Sequence, residues 1–140
     1  MMVSLVRAGS PQRDRQQTIT DTTPAIFSAG RGSNTGGVSP QFITIIATAA
    51  YDGWLTVGIT EGDSAGALGN IGIDWDAWTD SAGIENDNGA VFFLSPDDGP
   101  AESAVIAQFT IDGDWSAAFG AQGRSADGDD WQADNIAIAN

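Results

Sequence analysis

Residues Trp54–Thr60 read WLTVGIT. Trp54, Thr56, Gly58 and Thr60 share one parity, and Leu55, Val57 and Ile59 share the other. That is the period of two imposed by a pleated strand with one face buried. YDG precedes the run and EGD follows it. Glycine admits positive φ and aspartate bonds its own backbone, so both flanks read as turns. Outward from this stretch the same unit recurs. FITIIATA (Phe42–Ala49, alternating in FITI), GIDWDAW (Gly72–Trp78), AVFFLS (Ala90–Ser95), SAVIAQFTI (Ser103–Ile111), WSAAFGA (Trp115–Ala121) and NIAIA (Asn135–Ala139) read as further strands. TEGDSAGALGN, ENDNG, SPDDGP, IDGD and SADGDD separate them. No stretch sustains a helical apolar period over three turns, although ALGNIG suits one short turn. The spacing predicts an all-β chain: an antiparallel β-sandwich, jelly-roll or immunoglobulin-like, over residues 41–140. DSAG occurs at Asp63–Gly66 and again at Asp80–Gly83. The strands around it are not duplicated, so no repeat architecture follows.

Residues 1–40 differ in kind. They carry Arg7, Arg13, Arg15 and Arg31 against Asp14 and Asp21, while the rest of the chain sets Arg124 alone against every other acid. RAGSPQRDRQQTITDTTP and SAGRGSNTGGVSP are rich in Ser, Thr, Gln, Gly and Pro. The segment reads as an extended N-terminal arm joined to an acidic body. MVSLV and QQTIT look like short strands within it, and Ile26–Phe27 like an apolar anchor. Ordering backbone costs about 1–2 kcal/mol per residue, so such an arm holds a fixed position only by docking. Its candidate docks are its own body and the body of a neighbouring copy, both negative; the expected one is the neighbour's, met through Val3, Leu5, Arg7, Arg13, Arg15, Ile19 and Phe27.

Composition removes many functions. With 140 residues, 41% of them apolar, the chain supports one real core. No run of about 18 apolar residues is present, so no membrane insertion is expected. The N-terminus lacks the apolar stretch of a secretory signal. All five basic residues are arginines, and the net charge is −14. That excess excludes a nucleic-acid footprint and an anionic membrane surface. Without Cys, His or Lys, disulfides, thiolate nucleophiles, imidazole bases, Schiff bases and isopeptide staples are all ruled out.

Hard oxygen chemistry survives. Asp127, Asp129 and Asp130 in SADGDD, with Asp97 and Asp98 of SPDDGP across from them, are candidate ligands for calcium, which takes six to eight oxygens. The alternative is a hairpin turn whose aspartates face water. A carboxylate pair can hydrolyse a glycoside, but acids in short turns stay ionised rather than shifted for catalysis, so no enzyme is expected. Trp54 and Trp78 are candidates for stacking on a polysaccharide, against the alternative of core packing. Trp75 and Trp78, three apart, would face opposite sides of a strand. Arg124 reads as a guanidinium fork that ties down the acidic loop.

YDGWLTVGIT (Tyr51–Thr60), NGAVFFLSPDDGP (Asn88–Pro100), VIAQFTI and AQGRSADGDDWQ (Ala121–Gln132) together resemble a domain of exported proteins from planctomycetes and other aquatic bacteria. Many of those proteins end in a PEP-CTERM sorting tail. The resemblance covers the body from residue 42 onward and implies an extracellular, surface-associated β-domain without an established catalytic role. This chain shows neither the signal peptide nor the sorting tail of that pattern. The expected function is that of a structural subunit, extracellular or at the cell surface, which self-assembles into a filament through its arm. A virion decoration or capsid-accessory protein and a secreted carbohydrate-binding module are the alternatives.

Overall fold

The computed structural model describes residues 2–5, 21–22, 34–86, 88–95, 98–100, 103–111, 113–125 and 127–139. Among these, the strands in chain order are β1 (Met2–Leu5), β2 (Asp21–Thr22), β3 (Trp54–Leu55), β4 (Leu68–Ile71), β5 (Glu85–Asn86), β6 (Ala90–Phe93), β7 (Ala107–Gln108), β8 (Ser116–Arg124) and β9 (Asp130–Ala139). One six-residue helix, α1 (Pro40–Ile45), is present. The chain is all-β. Its larger sheet runs β4-β6-β1-β8-β2-β5, with β9 on the other side of β8, and β3 pairs with β7 in a small second sheet. Every pairing between these strands is antiparallel.

The β8–β9 hairpin is the longest ladder, and its sequence explains its shape. Ala117, Ala121 and Gly123 of β8 are buried and Phe119 is half-buried, all on one parity. Opposite them the inward parity of β9 changes partway, from Trp131 and Ala133 to Ile136. A bulge causes the change. The register slips between Phe119 and Ala121, so Gly120 faces both Asp134 and Asn135. Asn135 adopts φ 63, a left-handed conformation that asparagine tolerates better than most residues.

The main core draws on both sheets. Leu55, Val57, Trp78, Ile84, Val91, Phe93 and Ala121 are buried together, with Phe119, Trp131 and Ile136 packed against them. A smaller cluster holds Val38, Ala49 and Trp54, with Phe42 and Ile43 beside it. Thr35 bridges to Leu55 and Gly37 to Glu61, so packing against the body begins before residue 41.

Several expected strands take other forms. Phe42–Ala49 is not a strand: α1 covers Pro40–Ile45, and a 3-10 turn covers Ala47–Tyr51. Ser39 Oγ accepts the Phe42 N–H at 3.2 Å, and Pro40 sits at the first helical position with its φ already set. This start signal outweighs the strand preference of Ile43, Thr44 and Ile45. Around Trp54–Thr60 burial is continuous from Asp52 to Val57 rather than alternating, and only Trp54–Leu55 joins a ladder. Gly72–Trp78 contains a 3-10 turn at Trp75–Ala77, where Asp74 accepts the Asp76 N–H. Leu68–Ile71, within the expected helical turn, is a strand. The Asp63 carboxylate takes the N–H groups of Ala67 and Leu68 at 2.8 and 2.9 Å and delivers the chain into β4. Of Ser103–Ile111 only Ala107–Gln108 is a strand.

Two substitutions check this frame by urea denaturation. Val91 is fully buried in the core, and Val91→Ala is expected to lower stability by about 2 kcal/mol. Ser39→Ala removes the α1 cap and is expected to cost about 1 kcal/mol.

Candidate functional site

The sheet order places the arm at its centre. β1 pairs with β6 on one side and β8 on the other, antiparallel to both. β6 and β8 therefore run parallel to each other, one strand's width apart. Two inter-strand spacings set that slot at about 9–10 Å. Leu5 stands between Val91 and Ala121, both buried, and Ser4 stands between Phe92 and Gln122. Val3 pairs with Gly123 and Met2 with Arg124. Lower on the same edge of β8, Thr22 of β2 pairs with Ala118, and Asp21 and Thr22 pair with Asn86 and Glu85 of β5. Among the described residues, β1 and β2 are the only strands that join the β8–β9 hairpin to the rest of the large sheet.

Of the expected arm contacts, Val3 and Leu5 lie in β1. Arg7, Arg13, Arg15, Ile19 and Phe27 lie outside the described residues. The structure holds one chain, and the slot is filled by that chain's own arm. Residues of the slot itself were missed by sequence reasoning, namely Val91–Phe92 and Ala121–Arg124. The strand lengths gave no signal for it, because the sequence reads this strand as ending at Ala121 whereas β8 continues to Arg124.

The acidic loop next to the slot is a hairpin turn. Gly128 N–H reaches Ser125 O at 3.0 Å, Ser125 N–H reaches Asp129 O at 2.8 Å, and Ser125 Oγ accepts the Asp129 N–H. Gly128 takes φ 91, the left-handed position that closes such loops. Asp127 and Asp129 are exposed. Asp130 stands opposite Arg124 in the ladder and is gripped by it, Nε to Oδ1 at 2.7 Å and Nη2 to Oδ2 at 3.3 Å. Asp98 is exposed on another loop, and Asp97 lies outside the described residues. Among the described residues no group of three or more carboxylates converges to hold a metal.

The tryptophans pack inward. Trp54 and Trp78 are each only 5% exposed, so neither presents a face for a sugar. The 3-10 turn brings Trp75 and Trp78 together, ring centres 6.2 Å apart, instead of sending them to opposite sides of a strand. Edge-on contacts then continue from Trp78 to Phe109 and from Phe109 to Trp115. Among the described residues no helix is long and apolar enough to cross a membrane.

The Arg124 fork, by its hydrogen bond and then by its charge, holds the Asp130 carboxyl below the usual 3.8. A lowered carboxyl pKa stabilises the hairpin mouth above the usual value, and that contribution is lost as pH falls through the folded value. In Arg124→Gln the Asp130 midpoint, followed by carbonyl NMR, is expected to rise to the ordinary carboxylate range. Comparison with protein-family models, curated proteins and solved structures returned no match to this chain.

Proposed function

We propose that this chain is a structural subunit that polymerises by strand exchange, giving its N-terminal strand to the slot of a neighbouring copy. The carrying observation is the position of β1. It lies inside the sheet, between two body strands that do not otherwise meet, and not at an edge. Every backbone bond that β1 makes to β6 and β8 within one chain can form unchanged with the β6 and β8 of another. This is the condition under which exchange of an identical element is cheap. Residues 6–20 join β1 to β2 and residues 23–33 join β2 to the body; the second stretch can reach at most about 40 Å.

Charge favours exchange. The arm carries four of the five arginines, and the body carries nearly all the acids. A cationic arm thereby offsets some of the repulsion between bodies as they approach. Because donor strand and slot are different surfaces, the contact is heterologous and propagates into a filament. The body fits a β-sandwich, since the β3–β7 sheet and the larger sheet contribute to one core. An extracellular setting suits the acidic surface and the resemblance of the body to exported β-domains.

The test is removal of residues 1–20. The full chain is expected to sediment as a concentration-dependent polymer and to show fibres by electron microscopy. The shortened chain is expected to stay monomeric, with its slot open, and to capture a labelled peptide of residues 1–20. Polymerisation undiminished by the deletion, or a full chain that stays monomeric at every concentration, contradicts the proposal.

A further inference from the structure

β9 forms an outer edge of the large sheet. Among the described residues it pairs with β8 alone. Every second residue along it therefore turns its N–H and C=O away from β8, where no described strand receives them. Such an edge templates another strand unless charge, proline or a bulge blunts it. Here the blunting stops partway. Asp130 and Asp134 are the only charges in β9, and the bulge sits at Asp134–Asn135, opposite Gly120. Beyond it, Asn135–Ala139 holds no charge and no proline.

The bulge also resets the pleat so that Ile136 faces inward and packs against the main core. Ile138 follows two residues later, on the same face. It stands opposite Ala117, which is buried, yet is itself 39% exposed. The inward row of β9 thus ends in an uncovered isoleucine beside an open backbone edge.

We infer that this edge pairs with the same edge of a second copy, antiparallel about a twofold axis through Ala137. In that register Ile138 of each copy stands opposite Ile136 of the other, and Asn135 stands opposite Ala139. Both exposed isoleucines are covered, and the open backbone groups are bonded. Neighbouring registers are worse. An axis at Ile136 sets Ile138 against Asp134, and an axis at Gln132 sets Asp130 against Asp134, a like-charge pair that destabilises a ladder. Two copies at net charge −14 repel. Asn135–Ala139 is the part of β9 along which they meet without opposing carboxylates. Salt, which shortens the screening length to about 10 Å at 0.1 M, strengthens the pairing. The contact is isologous and does not use the arm, so it joins subunits side by side whether or not strands are exchanged.

Because the chain has no cysteine, one introduced thiol reports the register. In the full-length chain, Ala137→Cys places its two copies opposite each other across the axis. Their Cα atoms lie about 4.5–5.5 Å apart, within disulfide range. Mild oxidation in high salt is expected to convert most of this variant into a covalent dimer. Gln132→Cys, on the same strand but away from the axis, should yield at least about tenfold less. Adding Ile138→Asp to Ala137→Cys is expected to abolish the dimer with an unchanged circular dichroism spectrum. Equal cross-linking of the Ala137 and Gln132 variants, absence of the Ala137 dimer, or its persistence with Ile138→Asp overturns the inference. A polymer made by arm exchange alone gives the Ala137 variant no advantage, so the two contacts are told apart.

Discussion

β8 has two edges of backbone donors and acceptors, and the molecule is arranged around how they are satisfied. A buried group left without a partner costs about 1–3 kcal/mol. β9 runs the length of one edge. The other edge is met at Ala121–Arg124 by β1 and at Ala118 by β2, two strands separated from the body in sequence. The same two strands meet β6 and β5 on their far sides. Among the described residues the sheet is thus continuous only while the arm is in place, and any copy's arm with the same backbone satisfies that requirement equally well. An intramolecular fold and a polymer then differ in connectivity and hardly at all in local bonding.

Much of the β character was legible in the sequence, because it depends on local pattern. AVFFLS, WSAAFGA and NIAIA each lie in or around strands, and the turn chemistry of SADGDD gave a hairpin loop closed by glycine. Failures came where a local signal was overlooked or tertiary packing prevailed. Ser39-Pro40 is a helix start, yet the isoleucines after it suggested a strand. The alternation of WLTVGIT suggested one wet face, but the core closes over both sides from Asp52 to Val57. The bulge at Asn135 was invisible because one residue in a left-handed conformation shifts every later side chain without changing the strand composition.

The slot was the least legible feature. Nothing local in AVFF or in AQGR indicates that an arm strand from the opposite end of the chain will lie between them. The charge division set the arm apart from the body, but β1 itself carries no charge and begins beside Arg124, the body's one arginine, so its place rests on backbone pairing. The acids proved mostly local in their work. Asp63 and Asp74 hold turns, Asp130 is held by Arg124, and Asp127 and Asp129 face solvent.

The most direct measurement of strand exchange uses the register at the slot. Ser4 and Gln122 are opposite each other in the β1–β8 ladder, and the chain has no other thiol to interfere. Cysteines placed at both positions and oxidised in the native state must join one copy to itself or to its neighbours. The account predicts a covalent ladder of dimers, trimers and higher species on a non-reducing gel. A single monomer band closed by an internal disulfide, at concentrations where the unmodified chain is expected to assemble, would contradict it.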